Sequence, residues 1–181
     1  MIYPEKTFDV KGGQVVLRSA REEDWEELIR YLKVTAAETP FLIREPDEAF
    51  PTEEREKAFI RAQEEEERGV MLLAFVDGEL AGNASLSPIG ARRRYAHRCG
   101  VAIALYEKFW GRGIGRCLLK ELLDLAKELG YEQAELEVVE ANTRARGLYE
   151  SLGFRIYGRE PHNMKYADGS YADTLWMMKQ L

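Results

Sequence analysis

The chain has 181 residues, of which 45% are hydrophobic and 32% charged. This balance is typical of a single globular domain and excludes a disordered or collagen-like protein. The formal net charge of −6 argues against a nucleic-acid partner, because such proteins usually present a basic face. The longest apolar runs, residues 71–76 and 101–106, are far shorter than the ~18 residues of a membrane-spanning helix. Since charge and proline precede any apolar stretch at the N-terminus, we expect a cytoplasmic protein without a membrane partner.

The cysteine and histidine content predicts neither a disulfide framework nor a metal site. Cys99 and Cys117 are the only cysteines, and they form no Cys-x-x-Cys motif. His162 has no second histidine or cysteine at ligand spacing. We therefore expect two reduced thiols and no metal.

The N-terminal half of the chain predicts a strand, two helices and a hairpin, over residues 14–18, 20–34, 52–69 and 71–87. Ser19 and Glu22 have the spacing of a capping box at the start of the first helix. The proline-containing segment between the helices, residues 35–51, is long for a loop, which indicates a functional arm. Asp77-Gly78 is a strong turn signal, so the strands over residues 71–76 and 80–87 should be antiparallel.

The C-terminal half predicts a sheet in which one neighbouring pair of strands is parallel. Residues 96–105 and 134–139 are strands joined by a helix that ends at Leu129, and such a crossover gives parallel pairing. A short helix follows over residues 142–153, and residues 154–159 and 174–179 form a closing hairpin. We expect a single α/β domain over residues 1–181. Its mixed, mostly antiparallel sheet should have about six to seven strands, with a central parallel pair formed by strands four and five, and about four helices.

Three closely spaced glycines, Gly111, Gly113 and Gly115, lie between the fourth predicted strand and the following helix. Without Cβ atoms, consecutive backbone N–H groups can converge there, and the helix dipole adds to their attraction for an anion. Arg112 and Arg116 would add positive charge. The glycines alone are equally compatible with a flexible turn.

Two common phosphate-binding motifs fit this loop poorly. A P-loop ends in Gly-Lys-Ser/Thr, whereas this helix begins Gly115-Arg116-Cys117. A dinucleotide-binding fold is closer, because Glu135 lies at a distance suited to a ribose-binding acid. However, Leu118 occupies the position of the third glycine, and the chain is too short for two mononucleotide-binding halves.

The segment Trp110-Gly111-Arg112-Gly113-Ile114-Gly115 resembles the acetyl-CoA signature of the GNAT superfamily of N-acetyltransferases, usually Gln/Arg-x-x-Gly-x-Gly/Ala. Further motifs are similar to the next strand and helix of that family: Leu136-Glu137-Val138, Asn142, Leu148-Tyr149-Glu150 and Leu152-Gly153-Phe154. The motifs span residues 99–155, and the order of elements agrees along the whole chain. The type most resembled is the ribosomal-protein alanine N-acetyltransferase. Trp110 departs from the signature, where Gln or Arg is usual.

The resemblance implies an acetyl-CoA-dependent N-acetyltransferase that acts on a primary amine of a small molecule, or of a peptide or protein N-terminus, by direct attack. A non-catalytic acyl-CoA sensor or interaction module on the same fold is the alternative. The cofactor would lie where strands four and five diverge, with its pantetheine on backbone groups of Ile103, Ala104 and Leu105. The resemblance assigns the pyrophosphate to Gly111, Arg112, Gly113, Ile114, Gly115 and Arg116. Gly100, Ala102 and Ala104 alternate on one strand face, which leaves room for a ligand or for close packing against a helix.

Three residues after the glycine loop match functional positions of the family. Tyr149 matches the tyrosine that donates to the leaving thiolate, although a core aromatic has the same appearance. Asn142 is a natural helix N-cap and also matches the asparagine that contacts the cofactor. Glu137 aligns with the base of the alanine N-acetyltransferases, although simple exposure of the face that it shares with Glu135 explains it equally.

The identity of the base and of the acceptor stays more open. Glu107, His97 and ordered water are alternatives to Glu137 as the base. The net negative charge, together with Glu45, Asp47 and Glu48 in the arm, predicts a cationic amine acceptor. A homodimer is compatible with the sequence.

Overall fold

Aliphatic and β-branched runs form an eight-stranded sheet in this computed structural model, which describes residues 1–90 and 92–181. The strands are β1 (Lys6–Val10), β2 (Gly13–Ser19), β3 (Val70–Val76), β4 (Glu79–Pro88), β5 (Arg98–Leu105), β6 (Gln133–Val139), β7 (Arg155–Lys165) and β8 (Tyr171–Gln180). The helices are α1 (Trp25–Glu38), α2 (Glu53–Glu65), α3 (Ile114–Glu128) and α4 (Thr143–Ser151).

The sheet has the order β1-β2-β3-β4-β5-β6-β8-β7, and every neighbouring pair is antiparallel except β5 and β6. The predicted mixed α/β fold with one central parallel pair is therefore confirmed, as is the Asp77-Gly78 hairpin between β3 and β4. The predicted strand count falls short by one or two. The strand absent from the prediction, β1, is hard to recognise because only its Phe8 and Val10 are even partly buried.

The parallel pair is short. Arg98 to Gly100 of β5 pair with Gln133 to Glu135 of β6, and beyond this point the two strands are no longer paired with each other. On their other sides both strands remain fully paired, β5 with β4 and β6 with β8. The sheet therefore splits between β5 and β6 towards their C-terminal ends.

Three predicted helix boundaries are wrong. The first helix, α1, continues to Glu38, so residues 35–38 of the predicted arm are helical. Ser19 is the last residue of β2, and its hydroxyl accepts a hydrogen bond from the Tyr3 amide (2.7 Å) instead of capping a helix. A single 3₁₀ turn, Glu22–Asp24, leads into α1, and there the Asp24 carboxylate accepts from the Arg21 amide (2.7 Å). The second helix has the predicted Thr52 cap but ends at Glu65.

The core packs on the centre of the sheet, where α3 supplies most of its helical residues and α1 and α2 add Leu28, Tyr31 and Ile60. The α3 residues Ile114, Leu118 and Leu122 are fully buried, as their helical spacing predicts. The C-terminal hairpin is longer than expected, with β7 and β8 both extending beyond residues 154–159 and 174–179. Among the described residues, no helix combines the length and the apolar character that crossing a bilayer would require.

Candidate active site

A cavity of about 1200 Å³ occupies the split between β5 and β6. The second half of β5, Val101 to Leu105, forms one wall, and Glu137 to Val139 of β6 form the opposite wall. The glycine loop, α4, the arm after α1 and the C-terminal end of β7 complete the lining. Its size and its position between diverging strands are those of a ligand site.

The small residues of β5 leave room for a ligand. Ala102 and Ala104 line the cavity, and Ala102 is exposed. A Cβ atom added at Gly100 would approach Ser87 and Ile89 at 3.8–4.0 Å, with no helix atom among its nearest neighbours. Close packing against a helix therefore does not explain the glycine at position 100.

The three loop glycines serve two different purposes. Gly111 (φ 74°) and Gly113 (φ 85°) adopt left-handed backbone conformations that side chains disfavour, although a Cβ atom would meet no clash at either position. Gly115 instead permits close packing, because a Cβ atom there would lie 3.3 Å from Leu148 and 3.5 Å from Ile103. The loop can therefore turn its backbone towards the cavity while α3 packs tightly beside it.

The charged and apolar side chains of the loop do not all reach the cavity. Arg116 lines it and donates to the Ser151 hydroxyl (2.8 Å). The Arg112 side chain is absent from the lining and donates to the Gly12 carbonyl (3.4 Å), beside the turn between β1 and β2. Ile114 is fully buried and, like Arg112, is absent from the lining.

Trp110 stands where the family signature usually has Gln or Arg, and its side chain connects the glycine loop to the end of β5. Its indole Nε1 donates to the Leu105 carbonyl (3.0 Å), and the Arg144 guanidinium lies 4.8 Å from its ring centroid. The Ala104 carbonyl similarly accepts from the Tyr31 hydroxyl (2.9 Å). Two of the three strand residues predicted to contact pantetheine thus have carbonyls that already accept a hydrogen bond within the chain.

Tyr149 is buried on α4, with its ring 6.0 Å from Phe154 in an edge-on arrangement, and it borders the cavity. Its hydroxyl has no hydrogen-bond partner among the residues that the structure describes. Burial raises the pKa of Tyr149 to about 12, so the phenol remains protonated at neutral pH. Tyr149 is thus both a packed aromatic and a neutral proton donor beside the cavity.

Asn142 begins the same helix and also borders the cavity. Its Oδ1 accepts from the Ala145 amide (3.1 Å), which confirms the predicted N-cap. Because Asn142 also lines the cavity, its contact with a cofactor stays a prediction.

Glu137 and Glu135 lie on one face of β6 in opposite environments. Glu135 is 4% exposed and accepts from Arg98 (Nη2 to Oε2, 2.7 Å), whose hydrogen bonds lower the pKa of that carboxyl. Glu137 is exposed at the cavity wall, and its carboxylate accepts from the Asn163 side-chain amide. The shared face is therefore not a uniformly solvated surface, and only Glu137 is placed for chemistry in the cavity. The alternative bases Glu107 and His97 are not in the lining.

The acidic residues of the arm do not reach the cavity. Glu45 accepts from the Ala167 amide (3.1 Å) at the tip of the β7–β8 hairpin, and Glu48 accepts from the Glu45 amide (3.3 Å). Neither they nor Asp47 line the cavity, whereas Thr39 and residues 41–43 of the same arm do. Lys165 of β7 also lines the cavity, with its ammonium 5.5 Å from the Tyr171 ring centroid.

Sequence reasoning missed the contribution of β7, whose Asn163 faces Glu137 across the end of β8. The only signal was Pro161, because proline inside a strand indicates an edge or a bulge. Cys99 and Cys117 are free thiols, as predicted. Within residues 1–90 and 92–181, no three or more His, Cys, Asp and Glu side chains are grouped as a metal site would need.

Comparisons with known proteins identify relatives of this chain. N-alpha-acetyltransferase RimI of Mycobacterium tuberculosis is 40% identical over 84 residues, which cover 45% of this chain and 49% of that protein. Phosphinothricin N-acetyltransferase of Streptomyces coelicolor is 26% identical over 170 residues, covering 93% and 98% of the two chains. A crystal structure of a GNAT-family acetyltransferase from Streptococcus pneumoniae superimposes with a TM-score of 0.86 and 28% identity, covering 92% of this chain and 99% of that one.

The extent of these matches is uneven. The chain spans about half or less of the length of the first curated relatives that it matches. The model of the acetyltransferase (GNAT) family matches residues 21–154, which include β5, the glycine loop and α4. The chain therefore belongs to the GNAT acetyltransferase family, as its motifs predict.

Proposed function

We propose that this protein is an acetyl-CoA-dependent N-acetyltransferase. It transfers an acetyl group to a primary amine of a small molecule, or of a peptide or protein N-terminus, by direct attack. One observation carries the proposal: a single cavity in the split sheet has the glycine loop at one end and both Tyr149 and Glu137 on its walls. A binding module would need the loop but neither of these two side chains.

The chain's own residues fit acetyl-CoA. The turned backbone at Gly111 and Gly113, beside the N-terminus of α3 and Arg116, suits a pyrophosphate. The unpaired edge of β5 at Ile103, Ala104 and Leu105 suits the amides of pantetheine, and Asn142 lies beside it. When bound, acetyl-CoA supplies an acetyl group activated as a thioester.

The residues around the cavity divide the proton transfers between them. Glu137 accepts a proton at its carboxylate from the attacking amine, because among the described residues it supplies the carboxylate in the cavity lining. Tyr149 holds a proton at its hydroxyl and donates it, or a hydrogen bond, to the departing sulfur. The raised pKa of Tyr149 keeps that proton available across the physiological range. Backbone N–H groups of β5 on the cavity side would stabilise the developing oxyanion.

The acceptor reaches the cavity as an ammonium ion and is attracted by Glu137 and by the net negative charge of −6. At pH 7 an alkyl amine of pKa ~10.4 is neutral in only ~1 molecule in 2,500, so such an acceptor depends strongly on a base. Lys165 would repel a second positive charge, because it lines the same cavity as Glu137. We infer that the positive charge of the acceptor is concentrated at the reacting amine.

A thiol-release assay with acetyl-CoA tests this function against amines, amino acids, peptides and aminoglycosides. We expect thiol release that depends on one class of primary amine, together with an acetylated product of the expected mass. Calorimetric binding of CoA without turnover of any amine would instead indicate the acyl-CoA sensor. We also propose a cytoplasmic location without nucleic-acid or membrane partners, and the homodimer stays a prediction for light scattering to test.

A further inference from the structure

The edge strand β7 is interrupted beside the cavity. Its register with β8 shifts between Glu160 and Met164, so Pro161, His162 and Asn163 form a bulge. His162 has a φ of 56°, a left-handed conformation that among the described non-glycine residues occurs elsewhere only at Asp77 of the hairpin turn. A β-branched or aromatic side chain pays a steric cost there, so the surrounding contacts must hold the bulge in place.

Asp173 of β8 holds this bulge. Its Oδ1 accepts from the His162 amide (2.7 Å), and its Oδ2 accepts from Arg159. Arg159 also donates to Glu140 Oε2 (3.0 Å), which connects the bulge to the end of β6. In addition, the His162 ring stacks on Tyr171 with centroids 4.8 Å apart. The bulge is thus tied to its neighbour β8 and to the residue that follows β6.

The consequence of the bulge is the orientation of Asn163. The Asn163 amide nitrogen donates to the Glu137 carboxylate and to the Thr174 hydroxyl (2.8 Å). These two contacts use both hydrogens of the amide group. An exposed glutamate otherwise samples several rotamers, and a donor fixed from a neighbouring strand restricts it.

We propose that Asn163 is a positioning residue, held by the β7 bulge, that fixes the Glu137 carboxylate for proton acceptance from the amine. The inference rests on the proposed function, because it concerns the base of the same site. Bulges commonly re-aim side chains beside active sites, and this one does so for the residue that contacts the proposed base.

The charges around Glu137 are few and identifiable. Lys165 of β7 lines the same cavity. Glu135 lies two residues before Glu137 on β6 and is paired with Arg98 of β5, while Glu160 of β7 accepts from Trp176 of β8 (3.3 Å). Asn163 is the neutral donor in direct contact with the carboxylate, so its removal changes that contact without changing the net charge.

A double-mutant cycle tests the inference with Asn163→Ala, Glu137→Gln and the combined variant. We expect Asn163→Ala to lower kcat/KM at neutral pH by about tenfold, as for a lost hydrogen bond to a charged group, with KM for acetyl-CoA unchanged. In the Glu137→Gln background the same substitution should have no further effect, because the group that it positions is gone. Gln133→Ala is the matched control, since Gln133 donates to Glu135 (2.7 Å) outside the cavity. Its kcat/KM should equal that of the parent.

A second readout does not depend on activity. The side-chain amide resonance of Asn163 should shift in Glu137→Gln, because its hydrogen bond loses a charged acceptor, and should not shift in Gln133→Ala. If the resonance is insensitive to Glu137, the contact does not exist in solution and the inference is wrong. The inference is equally wrong if Asn163→Ala lowers activity as much in the Glu137→Gln background as in the parent.

The cycle also separates this inference from the proposed function. A parent protein that acetylates no amine would contradict the proposed function, while the resonance experiment would still decide the Asn163–Glu137 contact. An active parent in which Glu137→Gln alone has no effect would remove Glu137 as the base, and the positioning role with it.

Discussion

Tyr149→Phe separates catalysis from packing, because the substitution removes one hydroxyl and keeps the aromatic ring. The ring stays against Phe154, and the lost hydroxyl has no partner among the described residues. We therefore expect the free energy of unfolding to change by less than ~1 kcal/mol, since no hydrogen bond is broken. If the hydroxyl assists the leaving thiolate, kcat should fall ~10²-fold, which corresponds to about 2.7 kcal/mol of barrier.

The assay combines initial rates of thiol release with chemical unfolding of the same preparations. KM for acetyl-CoA should change little, because the hydroxyl acts on the departing group and not on the bound ground state. Tyr131→Phe is the control, since Tyr131 donates to the Arg68 carbonyl (2.7 Å) away from the cavity. It should lose about 1 kcal/mol of stability and no activity, the opposite phenotype. Equal rates for the parent and Tyr149→Phe would make Tyr149 a core aromatic only.

Three further outcomes are expected from other positions. Replacing Gly113 with a bulky residue such as leucine should abolish CoA binding, as measured by calorimetry. Unfolding should stay cooperative, with a loss of about 1–2 kcal/mol of stability because a side chain disfavours the left-handed backbone there. Unchanged affinity for CoA would exclude this loop as the binding site. Parental kcat/KM should rise with pH through one ionisation, and in Glu137→Gln this rise should shift to higher pH with less activity at neutrality; superimposable profiles would assign the proton to another group. Glu135→Gln should lower stability at pH 7 by about 2 kcal/mol, because Arg98 loses its charged partner. Arg98 lowers the pKa of Glu135, so the stabilisation is fully present above the pKa of the unfolded state, ~4.3, and is lost as the pH falls through the lower pKa of the folded state. The stabilities of parent and variant should therefore converge in acid. A difference in stability that does not change with pH would contradict an ion-pair origin.

Local signals in the sequence predicted those parts of the fold that depend on neighbouring residues. Asp77-Gly78 specifies its turn through backbone conformation alone, and the helical spacing of Ile114, Leu118 and Leu122 specifies the buried face of α3. Ser19 misled because its spacing to Glu22 is that of a capping box, yet its hydroxyl has a partner, Tyr3, from a distant part of the chain.

The parts of the site that belong to short local sequence motifs could be predicted. The glycine loop, Asn142 and Tyr149 could be located from motifs, and all of them border one cavity. The difference between Glu135 and Glu137 could not, since the two occupy equivalent positions on β6. Arg98 neutralises one and Asn163 contacts the other, and both partners come from other strands. A β-bulge decides the second contact, and bulges leave only weak marks in a sequence.

The divergence of β5 and β6 gives the protein two free strand edges along the cavity. Alternate amides from Val101 to Leu105 point away from β4 and have no strand beside them, whereas their neighbours are paired. Hydrogen exchange along this one strand should therefore alternate between fast and slow amides when no ligand is present. A molecule that fills the gap acts as an additional strand, so exchange at the fast amides should slow on binding and report occupancy without any chemical turnover. An exposed edge also invites pairing with another chain, and a protein stored without its ligand should self-associate more readily than one that is saturated.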